Sequence, residues 1–380
     1  MYIHVYVFGA GASKAAVGGP LTNEFLKRGF DGRCLGAIWQ VAKPGLDCVA
    51  KFIDALHRTR LFDWVQEAGP KISAGEHIVH AQDAPLPASV TIEDLLTYVD
   101  LAIEEQRSEW DYRKLQRSLH DFIFATLPFF GRANDCYQQL VNHQVDWSCR
   151  NCFISFNYDT FLDQALWLAK PNGIRSNYNL TFDSVTNNWP QYRRMLDEGD
   201  AGLKTDLLKL HGSTNWARCE ACEDLHLLPL GQPIQTLVKE RCEARGCDSR
   251  LYPFFVAPTF KKHGEKSGMA QIWQKAEELM SVADHITIIG YSFPDADMEA
   301  KWLFKRALAK GGKTPKLTII DPSPAVRDKI VAFFGNTVNL TMQIPDFETY
   351  VARSKENAYR EFMVNASHKG VESSGHTLET

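Results

Sequence analysis

The sequence predicts an α/β chain: an open parallel sheet carrying a helical insertion and a small cysteine-held ribbon. Three observations predict it. Short β-branched and aromatic runs each stop at a glycine or a polar residue, and several are followed by residues at helical spacing. The stretch from about residue 31 to 150 reads as helix, and four of the nine cysteines fall between Cys219 and Cys247.

The first run, Tyr2 to Phe8, is a strand cut off by Gly9, Ala10 and Gly11, with a helix expected around Leu21 to Leu26. Glycines here allow a tight turn and let a pyrophosphate approach the free amides of a following helix. The third glycine of the common dinucleotide fingerprint is replaced by Lys14, so a tight turn without a ligand stays open as a reading. In the helical region, Ile92, Leu95, Leu96, Val99 and Ile103 share a face behind Thr91, an N-cap with Asp94 three residues on. A second face runs through Leu115, Leu119, Phe122 and Ile123.

Strands return at Cys152 to Phe156 and at Leu207 to Leu210. A third ends at Gly290, ahead of a helix with Ala300, Leu303, Phe304, Ala307 and Leu308 at helical spacing; a fourth ends at Asp321, ahead of a helix closed by Gly335. Gly9, Asn157, His211, Gly290 and Asp321 therefore each lie at or just past a strand's C-terminal end, the edge where open parallel sheets bind ligands. Taken singly, Asn157 to Asp159 are turn formers and His211 is a structural histidine; one shared sheet would make them one site.

Cys219 and Cys222 are separated by two residues, and Cys242 and Cys247 follow as a second pair. Such pairs suit tetrahedral zinc with every corner filled by protein, a structural metal. The other cysteines scatter, which argues for reduced thiols over a disulfide framework. Over 380 residues the net charge is −4, without the basic excess of a nucleic-acid binder, so no direct nucleic-acid contact is expected. No apolar run spans a membrane and Met1 opens no signal-peptide pattern, so the expectation is a soluble, cytoplasmic chain. The expected partition is a sheet domain at 1–30, 151–216 and 248–345, a helical module at 31–150, a zinc ribbon at 217–247, and a C-terminal helix and mobile tail at 346–380.

In order and context, "GAGAS" (Gly9 to Ser13), "NYD" (Asn157 to Asp159), "HG" (His211, Gly212), the four cysteines and "GYS" (Gly290 to Ser292) resemble the sirtuin superfamily. "FNYDTFLDQAL", "LLKLHGSTNW" and "IIGYSFPDADMEAKWLF" look more like its prokaryotic antiphage branch of NAD-consuming defence proteins. The resemblance spans roughly residues 1 to 335, interrupted by the helical module. It implies a Rossmann-like NAD fold with NAD as substrate and zinc as structural metal. It also implies that Gly9, Ala10, Gly11 and Ser13 surround the pyrophosphate, and that Asn157 and Asp159 hold the nicotinamide ribose and carboxamide. His211 would be the base, Ser292, two residues after Gly290, would face a phosphate or the adenosine side, and Asp321 would take the adenine ribose.

Phe156 stands where protein deacylases usually carry Gln, no Phe-Arg pair follows "GAGAS", and "FVAPTFKK" replaces the strand that clamps an acyl-lysine peptide. Water then becomes the expected acceptor, giving an NAD glycohydrolase (NADase) that releases nicotinamide and ADP-ribose, or cyclic ADP-ribose, in antiphage defence. Two alternatives stand beside it: an NAD-dependent deacylase or ADP-ribosyltransferase, and a non-catalytic NAD or ADP-ribose sensor. The chain has no Walker-type phosphate loop. The resemblance therefore implies a HerA-type hexameric ATPase as partner, with the chain itself a homo-oligomer.

Overall fold

The computed structural model describes residues 1–73, 84–87, 89–127, 135–169, 173–182, 184–185, 203–228, 230, 241–242, 244, 246–256, 269–295 and 297–353. The tail expected beyond residue 353, most of "FVAPTFKK" and part of the cysteine ribbon lie outside them.

Strand β1 (Ile3–Phe8) runs directly into α1 (Ala10–Val17). The helix expected at Leu21 to Leu26 therefore begins at Ala10 instead, and Thr22–Glu24 is a 3-10 turn leading into α2 (Phe25–Gly29). The cause is local. Gly9 is extended at the helix start, and Gly18 at φ 72° ends it with its amide on Lys14 O. Helices α3 (Gly32–His57), α4 (Leu61–Ser73), α5 (Ile92–Glu104) and α6 (Tyr112–Thr126) build the expected helical region. Thr91 and Asp94 form the reciprocal capping box at the head of α5. A short α7 (Asp135–Gln139) continues as a π turn through Leu140–Gln144.

The chain then follows β2 (Arg150–Ser155), α8 (Phe161–Trp167), β3 (Ile174–Asn177), β4 (Ser184–Val185), β5 (Leu203–Lys209), β6 (Gly212–Cys219), β7 (Leu225–Leu227) and β8 (Leu251–Phe255). It closes with α9 (Ala270–Ser281), β9 (His285–Ile289), α10 (Met298–Lys310), β10 (Lys316–Ile320), α11 (Pro324–Phe334), β11 (Asn339–Ile344) and α12 (Phe347–Ala352).

Seven strands form one sheet in the order β11-β10-β9-β1-β2-β5-β3, every neighbouring pair parallel. This is the open parallel α/β sheet that the strand-end pattern predicted, with the Rossmann-like build that the resemblance implied. Both faces of its central strands are covered, so Val5, Val7, Phe8, Phe153 and Ile154 are all fully buried. Each such side chain contributes about 1.5–3 kcal/mol relative to exposure. The chain builds outward from β1 to one side first, through β2, β5 and β3, and returns to place β9 on the other. That reversal beside β1 opens a crevice at the C-terminal strand ends.

A second sheet, β4-β7-β6-β8, carries the cysteines. Its Ala217, Cys219, Leu251 and Phe255 share one hydrophobic core with α3 to α6, separate from the core of the parallel sheet. The core partition departs from the expected boundaries in two places. Phe25, Leu26 and Phe30 pack into the helical core, since α2 lies on α6 so closely that a Cβ on Gly29 would meet Phe122 at 2.2 Å. Cys136, Tyr137, Leu140, Val141 and Val145 instead join the core of the parallel sheet.

Candidate active site

The crevice is built from a crossing of two glycine turns. Gly9 N–H donates to Ile289 O at 3.1 Å and Gly11 N–H to Gly290 O at 2.9 Å. A Cβ on Gly9 would stand 2.5 Å from Tyr291 Cα, and one on Gly290, at φ +60°, would stand 2.2 Å from Ala12 N. The glycines are thus required by the approach of one backbone to the other. That approach is a reason for glycine additional to the tight turn and the pyrophosphate access expected from the sequence. Gly11 N–H is spent on Gly290 O and Ala12 N–H on Gly9 O, so Ala10 supplies the open amide among the first three of α1.

Ser13, Asn157 and Asp159 converge behind that turn. Asn157 Nδ2 donates to Gly9 O at 2.9 Å and to Ser13 Oγ at 3.0 Å, so both of its amide protons are committed. Ser13 Oγ donates to Asp159 Oδ2 at 2.7 Å and lies 3.0 Å from Tyr137 OH. Ser13 is buried and joined to side chains rather than open to a phosphate. Burial raises the Asp159 carboxyl above its ordinary value, against the opposing pull of Lys209 and the Ser13 hydrogen bond. Below it, buried Lys209 pairs with Asp163 at 3.2 Å and donates to Asp159 O, and Tyr178 OH donates to Asp163 at 2.5 Å. Each charge of this buried pair therefore has a partner.

His211 follows β5 and is 5% exposed. Its Nδ1 is 3.1 Å from Phe156 O, and because a carbonyl only accepts, Nδ1 carries the hydrogen and Nε2 holds the lone pair of the neutral ring. Nε2 lies 3.7 Å from Asp297 Oδ2, which accepts from Tyr291 OH at 2.6 Å. The Phe156 ring packs edge-on to His211 and stacks on Tyr291 at 4.1 Å, which fixes the imidazole plane. Burial, then Asp297, drives the Tyr291 phenol well above its ordinary value, so it donates as a neutral hydroxyl.

Gly9, Ala10, Gly11, Ser13, Asn157, Asp159, His211, Gly290, Ser292 and Asp321 all line a single cavity of about 780 Å³. Ser292 is exposed at its wall; Asp321 is largely buried and accepts from Ser323 N–H at 2.9 Å. Burial raises the Asp321 carboxyl as well. Among the cavity residues that sequence reasoning did not single out are Tyr291, Asp297 and, from the helical region, Glu93. Asp297 could have been found as the acidic residue heading a helix after "GYS". Nothing local marks Glu93, since only the packing of α5 brings it to the crevice.

The four cysteine sulfurs lie within 4.8 Å of one another, with Cys219 to Cys247 at 3.6 Å and Cys222 to Cys242 at 3.5 Å. A tetrahedron with zinc–sulfur bonds of about 2.3 Å has edges of about 3.8 Å, so the cluster fits the ion. The Cys219 sulfur also accepts from Ala221 N–H at 3.4 Å and Cys222 N–H at 3.5 Å, the local turn that lets a pair of close cysteines face one metal.

No family model matches the sequence, and no curated protein does. Among solved structures, the chain is similar at 13% identity to one described for the mechanism and regulation of Sir2 enzymes, covering 95% of this chain and 93% of that one with a TM-score of 0.39. A Sir2 homologue in complex with NAD is similar at 14% identity over 90% of this chain and 83% of that one, with a TM-score of 0.41. A mutant Sir2 homologue in complex with ADP-ribose is similar at 14% identity over 94% and 93%, with a TM-score of 0.40. The fold assignment stands on the sheet order and the cysteine cluster of the chain itself.

Proposed function

We propose that the chain is an NAD glycohydrolase, cleaving NAD to nicotinamide and ADP-ribose. One observation carries this reading: ten residues from five strand ends, chosen on sequence alone, line one cavity of about 780 Å³ at the reversal of a parallel sheet. Nicotinamide leaves as a neutral ring from a cationic glycoside and needs no acid. The demand on the protein is to stabilise an oxocarbenium-like ribose and to position a nucleophile.

In this reading Ala10 N–H meets the pyrophosphate, and Asp159 and Asn157 border the ribose. His211 Nε2 accepts the proton of the attacking water, a role commonly worth about 10²- to 10⁴-fold in rate. Cys219, Cys222, Cys242 and Cys247 hold a structural zinc that would tie the small sheet to the helical core. Its role is to close the fold, and metal analysis of the purified chain should give about one zinc per chain, lost on replacing the cysteines.

The wider role rests on the motif resemblance: NAD depletion in antiphage defence by a homo-oligomer working with a HerA-type ATPase. Glu93 of α5 on the cavity wall supports gating through the helical region. Mass spectrometry of NAD with wild type, Asn157→Ala and His211→Ala, each with and without the co-expressed ATPase, tests both levels. Nicotinamide and ADP-ribose from wild type alone are expected. Intact NAD in every arm, with folding and zinc preserved, would replace the enzyme with a binding protein.

A further inference from the structure

Asp297 sits at the N-cap of α10, yet its side chain caps nothing there. An aspartate at that position ordinarily accepts from the first-turn amides. Here the carboxylate is 2% exposed, lines the cavity, accepts from Tyr291 OH at 2.6 Å and faces His211 Nε2 at 3.7 Å. That separation is too long for a direct hydrogen bond and short enough for one oxygen atom to lie within about 2.8 Å of both. Since Phe156 O fixes the proton on Nδ1, the nitrogen that faces the Asp297 oxygen is the one with the lone pair, and both residues line the same cavity.

We infer that Asp297 is a catalytic residue that holds, jointly with His211, the water that attacks the ribose; this rests on the NAD-hydrolysing reading above. One water proton passes to His211 Nε2 as the water oxygen bonds to ribose C1′. The C1′–nitrogen bond breaks, its electron pair leaving with neutral nicotinamide. The second proton of the water stays on the new hydroxyl, hydrogen-bonded to Asp297 Oδ2, and the imidazolium releases its proton to solvent. The carboxylate also selects the acceptor. Water has a second proton to give it, whereas the carbonyl oxygen of an acylated lysine has none and would meet like-signed charge, so hydrolysis is favoured over deacylation. Among the described residues, the titratable groups that share the cavity with the imidazole include Tyr158, with its ring 6.0 Å away, Tyr291, Asp159, Asp321, Lys14 and Glu93 of α5.

The test uses the full chain with Asp297→Asn, Asp297→Glu and Tyr291→Phe, and reads the His211 imidazole by NMR titration, assigned with His211→Gln, beside kcat and KM for NAD against pH. Loss of a carboxylate this close should move the His211 titration down by about one unit or more. The acid limb of kcat should follow it, with kcat falling by at least about tenfold at a nearly constant KM. Asp297→Glu should recover part of both effects. Tyr291→Phe, which keeps the charge and removes only the hydroxyl, should give a smaller fall in kcat and serves if Asp297→Asn fails to fold. NAD consumed at the wild-type rate by folded Asp297→Asn, or a His211 titration that does not move, overturns the inference. Wild type leaving NAD intact while Asp297→Asn still moves the titration overturns the hydrolase reading, and the shared water with it, but not the pairing of the two side chains.

Discussion

The two ends of the β1 and β9 strand pair carry opposite chemistry. At the N-terminal end His4 and His285 are register neighbours, their rings stacked 4.2 Å apart. His4 Nε2 lies 2.8 Å from Thr287 Oγ1 and His285 Nε2 lies 2.8 Å from Thr318 Oγ1. Burial, then the neighbouring imidazole, holds His4 well below its ordinary value, and burial, then Lys316, takes His285 down to about 4. At the C-terminal end the same strands part into glycine turns, and the histidine nearby, His211, faces a carboxylate across a cavity. An imidazole paired with hydroxyls in a packed sheet stays neutral and structural; one set beside a carboxylate can take and release a proton.

The largest effect should come at the reactive end. His211→Gln should cut NAD consumption by about 10²- to 10⁴-fold while leaving the thermal midpoint in place. An equal loss of activity from His4→Gln would erase the distinction between the two ends. Next is the crossing itself: Gly290→Ala forces a Cβ to within 2.2 Å of Ala12 N at φ +60°, and should cost about 3 kcal/mol in urea unfolding. A midpoint unchanged by that substitution would mean that the two turns are not locked together.

The acid response probes the N-terminal end. His4 and His285 favour their neutral forms in the fold, so the unfolded chain binds the extra protons once pH drops below about 6.5. Their contribution is therefore complete above that pH and lost as pH falls toward 4, by about 3 kcal/mol for His285 with His4 adding in the same direction. Urea midpoints at several pH values between 7 and 4.5 would register it, and a flat series would count against the neutral stack. The smallest effect should come from Thr318→Val, which strips His285 of its hydroxyl partner and should cost about 1 kcal/mol.

Much of this contrast was legible in the sequence. A parallel strand buried on both faces is a short apolar run, and its functional end is the polar residue or glycine that stops it, so Gly9, Asn157, His211, Gly290 and Asp321 could be picked out without coordinates. The Thr91 capping box and the paired cysteines are likewise encoded within a few residues. Helix α1 was missed because "AGASKAAV" holds small residues with hardly any apolar stripe for periodicity to detect. Edge strand β11 was missed because its outer residues are mostly exposed and show no buried run.

The sequence by itself determined the strand ends, the glycine turns and the metal-ligating spacing, because each depends on neighbours along the chain. Only the tertiary structure decided which of those ends meet. It set the reversal beside β1, brought Tyr137 to Ser13 across 124 positions, and committed the Asn157 amide to the glycine turn. It also turned the Asp297 carboxylate away from its own helix and toward His211. These are contacts between segments far apart in sequence, fixed by packing that no local pattern records.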